Sequence, residues 1–380
     1  MKYIKIFSES LDLIVKIIII NKTTNRLVDI IILGIKMEQL AKLEDLPTSY
    51  VANLTQNNLV PLWPSLRNVL PPLKPIPHTQ AIFWKFNDIK PLLIEAGELT
   101  PIEKAERRVL VLANPGHGLE NMRATSVIYL GMQLLLPKEW APAHRHTPNA
   151  VRLIVEGEKA YTTVEGEKCP MSHGDLILTP SGLWHEHGHD GDEPVIWLDV
   201  LDLPLVYYME ASYVEGGEYQ LVANTGKNSR YGTGLVPTQH HIRAKNNYPM
   251  LRYPWVEAKQ LLVDLAENQS QGPIQVAYVN PETGEDCQKI IGYSALMVRP
   301  NETIQMSPCS AAQVFHLIEG QVELRIGTET FNLEKADTAC APCFAQIDLF
   351  NRSSEPCFIF IADEAPIQKK LDLYSVRARN

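Results

Sequence analysis

Pro142-Ala-His144-Arg-His146-Thr-Pro148, followed by Gly174-Asp-Leu-Ile-Leu-Thr-Pro180-Ser-Gly182-Leu-Trp-His185-Glu-His187-Gly-His189, is the stretch on which the reading of this chain turns. Six of the eleven histidines fall between positions 144 and 189. Two histidines at i and i+2 of a strand leave from the same face, because side chains alternate across the pleat. A third imidazole from an antiparallel neighbour, His185, closes a set of three around a cation. Neutral imidazole suits Fe, Zn, Cu or Ni, whereas oxygen-rich sites suit Mg and Ca. Gly174 and Gly182 allow tight turns, and Pro180 fixes the chain just ahead of His185. An H-x-H pair alone says little. Joined to a G-x5-P-x-G-x2-H pattern 39 residues on, it points strongly to a metal site on short strands.

Length and composition set the outer limits. A chain of 380 residues holds two domains with cores of their own. Its 45% hydrophobic and 21% charged content is that of a soluble globular protein. The net charge of −9 is spread without long runs, which argues against a nucleic-acid partner. Six scattered cysteines read as a reduced, cytoplasmic set. Cys340-Ala-Pro-Cys343 lacks the second pair a zinc site needs and reads as a turn beside a strand.

Residues 1–36 are an atypical N-terminal extension. They contain eleven isoleucines against twenty in the remaining 344 residues. The apolar run Leu11–Ile20 is interrupted by Asp12 and Lys16 and is too short to span a bilayer, so no membrane role is expected. Met37 reads as the natural start, and the extension as foreign to the native protein or, alternatively, as a partner-binding arm. Residues 37–115 read as a helical N-terminal region, with a helix over 38–58, a Pro-rich connection from Pro61 to Pro77 and further helical signals over 83–108.

Then the period changes. Ser126–Leu136, Val151–Val155, Ala160–Val164, Asp175–Thr179 and Val195–Val200 are short β-rich runs separated by turn residues, with Glu165-Gly166 as a hairpin turn. They place a jelly-roll barrel over 116–204. Residues 205–272 read as a linker with helices, including Trp255–Glu267. A second barrel follows over 273–380, because Arg152-Leu-Ile-Val-Glu-Gly157 returns as Phe315-His-Leu-Ile-Glu-Gly320 and Pro180 as Pro342, at offsets of 163 and 162. On that alignment Ser307 and Cys309 stand for His144 and His146, and Ile347 for His185. The second copy is therefore expected to be structural, with His316 packed or hydrogen-bonded.

The two histidine motifs together resemble the cupin signature, in which one motif supplies two histidines and the next supplies one more. The first motif departs from the common form, since the usual glutamate falls near Asn149 or Ala150. A three-histidine site without a carboxylate stays more positive and takes a bidentate anionic substrate together with O2. Ala105-Glu-Arg-Arg108-Val-Leu-Val-Leu-Ala-Asn-Pro-Gly116, Gly131-Met-Gln133, Pro142–Pro148 and Arg152 then resemble the gentisate 1,2-dioxygenase family, with its salicylate and 1-hydroxy-2-naphthoate relatives. The resemblance runs from about Pro61 to Tyr374.

That resemblance implies a mainly β bicupin: two jelly-roll β-barrels with helical N-terminal and linking segments, assembled as a homotetramer. It implies one Fe(II) per chain on His144, His146 and His185, with O2 as co-substrate. It further implies cleavage of gentisate between the carboxyl- and hydroxyl-bearing carbons to maleylpyruvate, with salicylate and 1-hydroxy-2-naphthoate as alternative substrates. Arg152, six residues after His146, turns toward the same interior on extended-strand spacing. A buried arginine needs an anion, and the substrate carboxylate is one. His187 is expected to contact the phenol oxygen or the oxygen co-substrate. Gln133 and Arg108 match pocket residues, Asp199 is placed to meet polar ring substituents, Tyr129 is an aromatic wall, and His189 is read as a supporting neighbour of the ligands or a structural residue. The competing reading is a non-enzymatic cupin that binds a small ligand.

Overall fold

The computed structural model describes residues 17–20, 27–30, 41–218, 220, 222–223, 231, 238, 248–270 and 272–379. The chain divides into a unit over Met1–Ile76 and a unit over Pro77–Asn380. In the first, β1 (Ile17–Ile20) pairs antiparallel with β2 (Leu27–Ile30). Of the helix expected over 38–58, a short turn at Leu43–Asp45 and a helix at Thr48–Gln56 are seen. Met37 lies outside the described residues.

The second unit holds both barrels. In the first, β14 (Arg252–Tyr253), β10 (Leu176–Thr179), β7 (Ala150–Glu156), β12 (Val195–Leu201), β5 (Tyr129–Leu135) and β4 (Arg108–Val111) form one sheet in that order. The facing sheet runs β13 (Val214–Gly216), β6 (Trp140–His146), β11 (His185–His189), β8 (Ala160–Val164) and β9 (Glu167–Pro170). The second barrel pairs β15 (Ile274–Ala277), β16 (Gly292–Val298), β23 (Cys357–Asp363), β18 (Gln313–Glu319), β21 (Thr338–Ala341) and β3 (Ile82–Trp84) with a sheet of β17 (Thr303–Met306), β22 (Ile347–Phe350), β19 (Val322–Ile326) and β20 (Glu329–Leu333).

The seven-residue strands of the two six-stranded sheets are buried on both faces, which is why Val195–Leu201 and Ala150–Glu156 carry almost unbroken apolar runs. One face looks into its own barrel. The other, from Met132, Leu134, Leu153 and Leu198, packs into a core shared with Tyr293, Val314, Phe358 and Phe360 of the second barrel. The second barrel's interior is a separate apolar core that includes Leu296, Phe315, Leu317, Leu324, Leu349 and Ile361. The hairpin joining β8 to β9 uses Glu165 and Gly166 at φ of 48° and 81°, the paired left-handed residues of a type I′ turn.

The repeat is longer than the sequence match. After the last barrel strand each copy continues into a short helix, Leu203–Tyr208 or Ala365–Lys370. The chain then returns along the edge, as β13 beside β6 and as Val376 bridged to Cys309. Strand pairing also corrects the alignment by one residue. Met306 lies opposite Ile347 as His144 lies opposite His185, so Met306 rather than Ser307 stands at the place of His144. His316 is buried, with Nδ1 2.9 Å from the Thr338 hydroxyl.

Residues 37–115 and 205–272 are not purely helical. β3 joins the second barrel and β4 the first, while β13 and β14 extend both sheets of the first barrel. These edge strands have two to four residues, too few to show a period, and only their partners define them. The helix Phe86–Leu99 runs between β3 and β4, and its first N–H is capped from the second barrel by Asp337 Oδ1 at 2.8 Å. None of the helices among the described residues is long and apolar enough to cross a membrane.

Candidate metal and substrate site

β6 carries His144 and His146 on one face, while Arg145 between them points outward to Glu215 and the Trp184 ring. β11 sets His185 directly opposite His144. One ligand atom from each of the three histidines lies within 4.8 Å of the others, and among the described residues no other cluster could hold a metal ion. Each Nδ1 faces a carbonyl: Pro142 at 3.3 Å, Pro148 at 2.7 Å and Leu183 at 2.9 Å. At His146 and His185 an Nδ1–H donated to the carbonyl leaves the Nε2 lone pair for a cation, whereas Arg107 Nη2 contacts both nitrogens of the His144 ring. The Nε2 of His185 is buried and has no protein partner.

Burial keeps the rings neutral. With help from Arg107 it brings His144 down to about 2, and it brings His146 to about 4. His185 is held well below the usual range by burial and then by His144. Three neutral nitrogen donors without a carboxylate fit one d-block cation. Asn149, where a cupin glutamate is usual, is engaged by the Asp202 carboxylate, the Ser181 N–H and the Tyr248 hydroxyl.

The opposite wall comes from β5, β7 and β12, whose register puts Gln133 across from Trp197 and Asp199 between Gly131 and Arg152. Arg152 is interior as expected, but by pairing rather than by even spacing from His146, because the chain turns through 147–149 between the two strands. Its Nη1 donates to the Thr179 hydroxyl at 2.7 Å, and its Nε lies 3.3 Å from Asp199 Oδ1, close but misaligned for a hydrogen bond. Asp199 also accepts the Trp197 indole N–H at 3.1 Å. It is thus the protein's own counter-ion to Arg152, which corrects the expectation that it waits for a ring substituent.

Gln133 is buried with its amide nitrogen unpartnered. Tyr129 leans over Gly131, where a Cβ would come within 2.8 Å of the phenol oxygen, so the missing side chain is what admits the ring. His187 is fully buried, its ring 5.9 Å from that of His185 and 5.4 Å from that of Trp197. His189 accepts from the Gly191 N–H and faces the Glu193 carbonyl, which ties a surface turn.

Arg108 is not in the pocket. On β4 it sits opposite Leu134, on the outer face, where its guanidinium pairs with Glu139 and donates to the Gly97 carbonyl at 3.1 Å. Its neighbour Arg107 precedes the inward-facing Val109 by two residues and lies against the His144 ring, with Nη2 in contact with Nδ1 and 3.0 Å from Nε2. Arg107 otherwise donates to the Glu106 and Pro142 carbonyls, and among the described residues no carboxylate is in contact with it. Burial and the facing Arg152 lower its guanidinium to about 10. Arg107, Trp197, Thr179 and Thr162, which sits beneath His187, are site residues that the sequence reading missed. The alternation Arg107/Val109 and Trp197/Asp199 was the available signal.

Comparison with known proteins agrees with this geometry. The Cupin domain family matches residues 131–201. The chain is 60% identical over 342 residues to a gentisate 1,2-dioxygenase of Ralstonia sp, covering 89% of this chain and 96% of that protein. It is 34% identical to gentisate 1,2 dioxygenase 1 of Aquipseudomonas alcaligenes, covering 86% and 94%. A crystal structure of salicylate 1,2-dioxygenase from Pseudoaminobacter salicylatoxidans with gentisate superposes at a TM-score of 0.81 and 28% identity, covering 89% of this chain and 98% of that one.

Proposed function

This chain belongs to the gentisate 1,2-dioxygenase family of cupin proteins, and from that membership we propose that it is an Fe(II)-dependent dioxygenase that opens the ring of gentisate. Both atoms of O2 enter the product, maleylpyruvate, as the bond between the carboxyl- and hydroxyl-bearing carbons breaks. His144, His146 and His185 would hold the ion. Bound there, Fe(II) supplies a redox centre at which the electron-rich ring and O2 meet.

One observation carries the reading: beside the three-histidine cluster lie two guanidiniums, Arg107 and Arg152, and among the described residues one carboxylate, Asp199, that pairs with Arg152. The wall keeps a net positive charge, and an aromatic carboxylate answers it. Arg107, with no acid of its own, is the stronger candidate for the substrate carboxylate, and Arg152 backs it. Gln133, Tyr129 and His187 offer polar contacts to ring oxygens. All six cysteines are free, which suits a reducing cytoplasm. A homotetramer, read by light scattering, completes the proposal.

The test is turnover by purified, Fe(II)-loaded protein under air. A strongly absorbing ring-opened product is expected, with a specificity constant for gentisate above those for salicylate and 1-hydroxy-2-naphthoate. A larger constant for either of those moves the substrate and leaves ring cleavage standing. Tight binding of aromatic acids without turnover supports the ligand-binding alternative.

The two adjacent arginines separate cleanly. Arg107→Met lowers kcat/KM by roughly tenfold to a hundredfold, the size of a lost hydrogen bond to a charged group, at nearly unchanged melting temperature. Arg108→Met strips Glu139 of its partner; it lowers the melting temperature and leaves kcat/KM within a few-fold of wild type. Swapped outcomes would restore Arg108 to the pocket.

A further inference from the structure

Thr162 and His187 face each other across the β8–β11 pairing, and neither has accessible surface. Thr162 Oγ1 lies 2.9 Å from His187 Nδ1, and among the described residues the hydroxyl has no second side-chain or backbone partner. A threonine hydroxyl has one proton to give, and a neutral imidazole has one N–H. If Nδ1 carried the ring proton, the buried Thr162 hydroxyl proton would have no acceptor, and the Nε2 lone pair would go unused as well. If instead the hydroxyl donates to Nδ1, the ring proton sits on Nε2. That atom is buried and unpartnered, and it lies on a ring among His144, His185 and Trp197, with centroids at 6.4, 5.9 and 5.4 Å. A proton on Nε2 then belongs to a ring that adjoins the three-histidine cluster, and an oxygen of a substrate held at that cluster would receive it. Both arrangements leave one proton without a protein acceptor, but only the second puts it on the ring beside the three-histidine cluster.

We propose that Thr162 is a positioning residue whose hydroxyl holds His187 as the Nε2–H tautomer, so that His187 donates a hydrogen bond to an oxygen of the bound aromatic acid rather than removing its proton. The inference rests on the reading of the site given above. A fixed donor favours the phenolate form of the ring oxygen, and because its direction is set before substrate arrives it needs no reorganisation. Trp197 holds the ring from the other side, and Thr162 decides which nitrogen carries the proton.

The tautomer is read directly from nitrogen–proton correlation spectra of histidine-labelled protein loaded with zinc, a diamagnetic probe, with His187 identified by its loss in His187→Gln. Protonated Nε2 and bare Nδ1 are expected, and a proton on Nδ1 overturns the proposal. That result does not depend on gentisate being the substrate, whose failure shows separately as absent turnover by the wild type. In the iron-loaded enzyme, Thr162→Val keeps its metal but loses kcat by roughly tenfold to a hundredfold, and Thr162→Ser, which restores the hydroxyl, recovers most of it. His187→Gln, able to donate but not to take a proton, outperforms His187→Ala. A fully active Thr162→Val, or a His187→Gln no better than His187→Ala, sinks the idea.

Discussion

His185→Ala is expected to remove the metal ion and the activity together. The cluster has three ligands and, among the described residues, no carboxylate to take a vacated place. The Nε2 that the substitution deletes is buried and without a protein partner. Losing an outer-shell partner of a metal ligand already costs about 10–100-fold in affinity or activity, and losing the ligand itself costs more. His144→Ala and His146→Ala should behave alike, because each contributes one of the three clustered imidazoles. Metal analysis and turnover on the same preparations check this. Wild-type protein should hold one ion per chain, since Met306 and Ile347 take the facing positions in the second barrel. Two tightly held ions, or an active His185→Ala variant, would end the assignment.

Asp199→Ala is expected to be the most destabilising single change in the pocket, by about 3–5 kcal/mol, the usual cost of leaving one member of a buried ion pair alone. Both partners are almost fully buried, so solvent cannot take over the charge of Arg152. The same change strands the Trp197 indole N–H. The double variant Asp199→Leu with Arg152→Met removes the charge along with its counter-ion; it should recover most of the stability and none of the turnover. Denaturant titration of the three proteins decides the matter. A loss near 1 kcal/mol for Asp199→Ala would mean that Arg152 finds another anion within the fold.

The repeat at an offset of 163, the cluster of three histidines and the lack of matching histidines in the second barrel were legible in the chain itself. They depend on local spacing: alternation on a strand, glycine at a turn, and one apolar pattern returning downstream. Gln133, Tyr129 and His187 also follow from alternation once the strands are placed. What the chain could not give was which residue faces which across a gap of tens of positions. Arg107 and Arg108 are neighbours of identical chemistry, and only the pairing of Val109 with Gln133 turns the first inward and the second toward Glu139. Asp199 looks like a free polar group until β12 pairs with β7 and brings Arg152 beside it. Thr162 carries no signal at all until β8 lies against β11. A one-residue change of register reverses every side chain on a strand, so these roles belong to the tertiary structure.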